Sequence, residues 1–310
     1  MKILRMTTND PAGTSILFTD AVNRYTEHTS RLITTSEKYE FHFKKDLHAP
    51  DVKDFDEIHQ LLKDSDIYHF EILSDESMEI GPLKVKDYIK NKVILHGHHG
   101  HPDFRLNPDK YRLKYQKLKR KVLVSTPDLK LGLPDAYWIP NLVPINNPLY
   151  MPSDERYDDF TVGHSPTRTD LKDTVRLLKA AHKAGVNVDI IMNTPHKECL
   201  RRKQKCHVIF DHLQGYYGVS SLESLSQGIP VIAKLSDWVE RNIKEFAETE
   251  SLPWLLFREL GTVVLQVKFG HYPYGGKHFR QMGDWCRKFM VDHWSDKKVV
   301  NRLIKFYNTL

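Results

Sequence analysis

The chain has 310 residues, 40% hydrophobic and 28% charged, with 46 basic against 40 acidic side chains, a net charge of +6, a pI near 9.0 and a mean hydropathy of -0.51. That is enough apolar content for two domains with cores of their own. No run approaches the ~18 apolar residues of a membrane helix, and Met1–Met6 turns polar too soon for a signal peptide, so a cytoplasmic protein with at most peripheral membrane contact is expected.

Cys199, Cys206 and Cys286 are odd in number and lack metal-site spacing, which reads as reduced thiols. The basic excess fits polyanionic partners (nucleotide phosphates, anionic lipid headgroups, nucleic acid) or a lysine-rich solvated surface.

In chain order, Lys2 to Thr7 reads as a strand, Asn9 to Thr14 as a breaker-rich turn, and Ser15 to Tyr25 as a helix with Ile16, Leu17, Val22 and Tyr25 on one face. Strand, glycine turn and helix together open a doubly wound sheet. The unit recurs. Strands are expected at Ser30 to Thr34, Ile67 to Leu73, Lys92 to His96, Lys121 to Ser125 and Tyr137 to Ile139. Helices are expected at Phe55 to Lys63, Lys84 to Lys90 and Lys110 to Lys119. Between about 140 and 160, Pro140, Pro144, Pro148, Pro152 and a charged run read as a linker. A second series follows, with strands at Phe160 to His164, Val188 to Met192, Val208 to Phe210, Val231 to Ala233 and Thr262 to Val267. Its helices are Asp170 to Ala184, His196 to Lys203, Ser220 to Gln227, Trp285 to Val291 and Lys297 to Asn308.

Three stretches carry chemistry. In Gly215-Tyr-Tyr-Gly-Val-Ser-Ser-Leu-Glu223, Gly218 permits close backbone approach and the open N–H groups at Val219 and Ser220 suit an anion. Glu223 in the first turns can bond a polyol such as ribose, or can be a helix-surface charge. In His164-Ser-Pro-Thr-Arg-Thr-Asp-Leu-Lys172, Arg168 and Lys172 stand four apart about a helix start, one forked and one point charge suited to a diphosphate. The third stretch, His96-Gly-His-His-Gly-His101, holds four histidines in six residues without the ligand spacing of a closed metal site. Asp64-Ser-Asp66 reads as surface charge, and Arg201 to Lys205 as a solvated basic helix end.

These motifs resemble those of the GT-B retaining glycosyltransferases, the "group 1" family. His164-Ser-Pro-Thr-Arg168 through Lys172 is similar to the opening of that family's C-terminal domain, with Asp173 where glycine is usual. Asp211-His-Leu-Gln-Gly-Tyr-Tyr-Gly218 matches a stretch that precedes the family's glutamate, to which Glu223 aligns. Gly215 stands where the wider family has a first glutamate, with Asp211 or Gln214 as substitutes. The resemblance implies an α/β fold of two Rossmann-like domains facing a central cleft. It places an acceptor domain at 1–150, a nucleotide-sugar domain at 151–283, and terminal helices at 284–310, the last packing back on the first domain. It implies transfer of a hexose-like sugar from a UDP- or GDP-sugar to a hydroxyl, with retention and without a required metal or other cofactor. Donor contacts would come from Gly13, Arg168, Lys172, Asp211, Gly218, Val219, Ser220 and Glu223. His96, Arg168 and Lys172 would serve the reaction, with His96 on a loop beside the sugar. His98, His99 and His101 are expected in that loop. The acceptor is left open among polyol, glycan, lipid-linked saccharide and hydroxymethylated DNA base, and no obligate protein partner is evident. A non-catalytic nucleotide-sugar or nucleic-acid binding protein of the same fold is the alternative.

Overall fold

The computed structural model describes residues 1–38, 41–255, 260–268 and 279–310. The chain forms two compact units, Met1–Leu142 with Lys297–Leu310, and Val143–Asp296.

The first unit holds β1 (Lys2–Thr7), α1 (Thr14–Tyr25), β2 (Thr29–Thr34), β3 (Leu47–His48), α2 (Asp56–Asp64) and β4 (Ile67–Glu71). A two-stranded hairpin, β5 (Glu79–Ile80) and β6 (Leu83–Lys84), follows, then β7 (Val93–His98), α3 (Pro102–Leu106), α4 (Pro108–Leu118), β8 (Lys121–Val124) and β9 (Tyr137–Trp138). Its main sheet runs β3-β2-β1-β4-β7-β8-β9 and all its pairs are parallel. Parallel strands are covered on both faces, which is why β4 is buried along its whole length. Leu4, Met6, Tyr68 and Phe70 pack there against Ile58 and Leu62 of α2.

The second unit holds β10 (Thr161–His164), α5 (Thr174–Ala184), β11 (Asn187–Ile190), α6 (His196–Lys205), β12 (Val208–Phe210), α7 (Val219–Ser226), β13 (Val231–Ile232), α8 (Asp237–Ala247), β14 (Trp254–Leu255), α9 (Leu260–Lys268) and α10 (Phe279–His293). Helix α11 (Asp296–Tyr307) belongs, but for its first residue, to the first unit. The second sheet is β11-β10-β12-β13-β14, also parallel.

Both sheets reverse strand order once. In the first the reversal falls between β1 and β4, in the second between β10 and β12. Connections leave opposite faces of the sheet at such a point and open a crevice at the carboxyl ends of the strands. The crevices therefore lie at Thr7 to Gly13 with Glu71 in one unit, and at His164 to Lys172 with Asp211 in the other.

Four expectations need correction. Residues 262–267 are helical, inside α9, because Val263, Val264 and Val267 share one buried face at helical spacing. Residues 84–90 hold no α-helix but a strand end and a short 3-10 turn over Val85–Tyr88. Helix α5 starts at Thr174, behind a 3-10 turn over Thr169–Leu171, since Asp173 takes the left-handed conformation (φ 54°) and breaks the run. Strand β7 continues past the expected end at His96 through His98, so His98 is a strand residue and not a loop residue. Helix α10 lies backbone to backbone against the end of α7: a Cβ on Gly283 would stand 2.5 Å from the Gly228 carbonyl oxygen.

Candidate functional site

In the second unit, Asp211 follows β12 directly and is 3% exposed. Its Oδ2 accepts bonds from the Gly218 N–H (2.6 Å) and the Ser221 hydroxyl (2.6 Å), and its Oδ1 from Lys172 Nζ (3.1 Å). Burial alone would raise the carboxyl's pKa; Lys172, His212 and the two hydrogen bonds outweigh it and hold the group well below the usual range. A buried charge of this kind persists only with such partners. Gly218 packs closely here: a Cβ would sit 3.1 Å from both Asp211 oxygens and 3.3 Å from Lys172 Nζ, so these groups would have to give way by a few tenths of an ångström. What the backbone approaches closely at this glycine is thus the chain's own carboxylate and ammonium.

Helix α7 begins at the next residue. Gly218 provides no side chain to cap it, and the N–H groups of Val219 and Ser220 have no protein partner among the described residues. Such groups carry the positive end of the helix dipole. Tyr217, buried and in ring contact with Trp254 and Trp294 at 5.5 and 5.7 Å, pins the turn from the core side.

Glu223, one turn on, is 5% exposed. Its Oε2 accepts from Lys203 Nζ at 2.6 Å and its Oε1 lies 2.7 Å from His196 Nε2. Burial pushes the carboxyl's pKa up, but Lys203 and then His196 overcome it and bring it to about 2. Burial works against the Lys203 ammonium too, and Glu223 leads the groups that nevertheless raise its pKa. Lys203 also donates to Ser220 Oγ (2.8 Å), which lies 3.0 Å from Ser165 Oγ in the loop after β10. Adjacent serines of α7 thus join two charge groups, Ser221 facing Asp211–Lys172 and Ser220 facing Glu223–Lys203.

The structure therefore brings Lys172, Asp211, Gly218, Val219, Ser220 and Glu223 to one crevice. Arg168 is placed differently. It flanks the 3-10 turn, its side chain is 54% exposed, and it pairs with Asp170 (Nη2 to Oδ2, 2.5 Å). Gln214 bonds the Leu171 carbonyl and Tyr216 near the surface. The residues that the motif reading missed are Lys203 and His196. Lys203 lies inside the basic run Arg201–Lys205, yet it shares the buried face of α6 with Leu200, three residues away. A lysine on an apolar helix face was the available signal.

In the first unit, Gly13 is left-handed (φ 63°), and a Cβ would meet the Phe43 ring at 2.3 Å. Asp10 Oδ2 accepts the Ile16 N–H at 3.0 Å, so the start of α1 already holds a carboxylate. His96 is 2% exposed, stacked on Phe70 (5.4 Å) and against Tyr115 (4.8 Å), with Nε2 3.6 Å from Glu76 Oε1. This is a core histidine, which corrects the loop position given to it from sequence. His98 bonds the Tyr115 hydroxyl (2.7 Å), His99 bonds Glu71 Oε2 (2.8 Å), and His101 Nδ1 accepts the Asp103 N–H at the start of α3. Beside them Arg5 and Glu71 form a fully buried ion pair, and the Tyr307 hydroxyl of α11 bonds Arg5 (3.1 Å) and His69 (2.9 Å).

No family model matches the chain, and no curated protein matches it in sequence. Solved structures do match. Anabaena Alr3699/HepE in complex with UDP-glucose is 12% identical with a TM-score of 0.69, over all of both chains. An alpha-glucosyltransferase in complex with UDP and a 13-mer DNA is 12% identical with a TM-score of 0.69, over 99% of each chain. The lipopolysaccharide outer core galactosyltransferase WaaB is 12% identical with a TM-score of 0.58, again over both whole chains. With its two parallel, doubly wound sheets, the chain has the fold of the GT-B glycosyltransferases.

Proposed function

We propose that the chain is a glycosyltransferase that moves a sugar from a nucleoside-diphosphate donor to an acceptor hydroxyl, with retention and without a divalent cation. One observation carries the reading: the uncapped start of α7, with the Val219 and Ser220 N–H groups open, stands beside Lys172 at the switch point of the second sheet. Fixed donors of this kind suit a diphosphate and the charge that develops on it as it leaves. UDP or UDP-glucose in solved structures of the same fold supports a uridine donor.

The geometry supports one assignment of roles. Lys172 and the two N–H groups would bind the diphosphate, with Asp211 holding the turn and the ammonium in position. Arg168, on the exposed side of the 3-10 turn, would reach the diphosphate only by exchanging its Asp170 partner for it. Glu223 would accept a ribose hydroxyl while keeping one oxygen on Lys203. Gly13 would offer the donor only its backbone, as the Phe43 ring fills the space beside its Cα. The core position of His96 speaks against a direct contact with sugar. The acceptor is a hydroxyl of a glycan, a lipid-linked saccharide or a modified DNA base, and a cytoplasmic site of action fits all three.

The test is calorimetric titration with UDP-glucose and other nucleotide sugars, followed by an assay for released nucleoside diphosphate. Lys172→Met is expected to weaken donor binding roughly 10- to 100-fold, the loss of one charge-assisted contact of about 1.5–3 kcal/mol. Binding unaffected by Lys172→Met and by Glu223→Gln would remove the site. Binding without release, with every acceptor class supplied, would leave a non-catalytic nucleotide-sugar binding protein.

A further inference from the structure

Helix α6 sends one ammonium to two side chains of α7. Lys203 Nζ donates to Glu223 Oε2 at 2.6 Å and to Ser220 Oγ at 2.8 Å, and these acceptors stand three residues apart, one turn along the same helix face. Ser220 Oγ in turn lies 3.0 Å from Ser165 Oγ, in the loop after β10 that runs on toward Lys172. His196 Nε2, 2.7 Å from Glu223 Oε1, holds the other carboxylate oxygen. Each oxygen keeps a further lone pair for a ligand. The Lys203 side chain is 1% exposed, so no ligand touches its ammonium. Whatever this lysine does for a ligand it does through Glu223 and Ser220.

Stability gives no reason for a charge at this seam. Lys203 shares its buried face of α6 with Leu200, and apolar side chains of matching volume in place of a buried ion pair are often as stable or more so. What the ion pair adds is direction. Charge-assisted bonds are short and fix their partners in place, where apolar contacts leave them free to slide. Burial would raise the Glu223 pKa, and Lys203 leads the groups that keep the carboxylate ionised. The carboxylate and the first turn of α7, with its open N–H groups at Val219 and Ser220, are thereby fastened to one atom.

We propose that Lys203 is a positioning residue of the donor site: it ties Glu223 to the start of α7, so that the sugar ring of the nucleoside and its diphosphate are recognised as one unit. The inference rests on the donor reading given above, in which Glu223 takes a ribose hydroxyl and the amides of residues 219 and 220 take the diphosphate. Two groups held by a common partner do not contribute independently, so the worth of the hydroxyl and the worth of the second phosphate both depend on the ammonium.

The experiment is calorimetric titration of the whole chain, in the cold, with UDP, UMP, 2′-deoxy-UDP and 3′-deoxy-UDP. In the parent, loss of the hydroxyl that Glu223 accepts should weaken binding roughly 10- to 100-fold, the value of a bond to a charged group. Lys203→Met should bring that ratio below about fivefold, the value of a bond to a neutral or displaced carboxyl. The UDP-to-UMP ratio should fall about threefold in Lys203→Met and in Ser220→Ala, the low end for one hydrogen bond. A lysine that only stabilises the fold would weaken every ligand alike; both ratios at their parent values in folded Lys203→Met overturn the proposal. If that variant melts too early, Lys203→Met with Glu223→Gln strands no charge. Its UDP-to-UMP ratio should lie about threefold below that of Glu223→Gln alone, and equality overturns the proposal. A parent indifferent to both hydroxyls, or a Glu223→Gln variant that keeps the parent ratio, removes the ribose role of Glu223 and this proposal with it. A hydroxyl ratio lost in Glu223→Gln but kept in Lys203→Met leaves that role standing and overturns this proposal alone.

Discussion

Lys203→Met isolates the energetics of the site. The substitution keeps the stem of the side chain and removes an ammonium that is 1% exposed, leaving Glu223 buried with only His196. Breaking a buried pair from one side costs about 3–5 kcal/mol, because the remaining charge is uncompensated. For a unit of this size each kcal/mol is worth roughly 2–4 °C, so its melting temperature should fall by roughly 6–20 °C. The fall should depend on pH. In the parent the Glu223 pKa lies below its ordinary value, at about 2, so the stabilisation is present above the unfolded value near 4.5 and is lost as the pH drops toward 2. In the variant, burial dominates and the pKa rises above the ordinary value, so the deficit is largest at neutral pH and shrinks below about pH 5. The double variant Lys203→Met, Glu223→Leu should recover most of the loss, a coupling of at least about 2 kcal/mol in a double-mutant cycle. Calorimetric melts of the four proteins at neutral and acid pH decide it. A Lys203→Met variant that melts with the parent, or a double variant no better than the single, would refute the reasoning.

Tyr307→Phe should destabilise the first unit by about 1–3 kcal/mol, because Arg5 and His69 each lose a buried partner; urea titration reads the loss. His69 and His98 are held neutral, both pushed by burial to about 3, so their stabilisation is full above pH 6.5 and declines below it. Two such groups remove about 3 kcal/mol between pH 6.5 and 5, which urea titrations at both pH values measure. Asp173 is left-handed and its Oδ2 accepts the Leu213 N–H at 2.9 Å. Asp173→Ala should thus cost more, about 1–2 kcal/mol, than Asp173→Gly, in which backbone relief offsets the lost bond; equal melting temperatures would contradict this. Gly163→Ala should cost about 1–3 kcal/mol through contact with Cys206 Sγ and Ile209 Cδ1 at 2.6 and 2.5 Å, seen as an earlier melt.

The βα order was legible because parallel strands are short apolar runs and the intervening helices keep their period. Asp211, Gly218 and Glu223 were legible as a motif, but their partners were not. The bond from Lys203 to Glu223 joins α6 to α7 across 20 residues, and in the sequence Lys203 is one cation among several. His96 was misplaced because the glycine after it looked like the end of a strand; Gly97 instead continues β7, where a Cβ would stand 2.3 Å from Glu71 Oε2. Helix α9 was misread because β-branched residues favour strands only weakly, and burial of one face overrides them. The left-handed Asp173 explains why α5 starts late: the sequence shows an aspartate, not the torsion it adopts.

The contact of Gly228 with Gly283 sets α10 against the end of α7 with no side chain between the two glycines, and Arg287 of α10 donates to the Ser226 carbonyl and hydroxyl beside it. Deformable upholstery is what ordinarily absorbs small shifts between helices, and at this glycine pair there is none. A ligand that tightens the amides at 219 and 220 should therefore slow amide hydrogen exchange in α10, though none of its described side chains bonds Lys172, Asp211 or Glu223. A side chain at Gly283 could not be accepted without moving the Gly228 backbone.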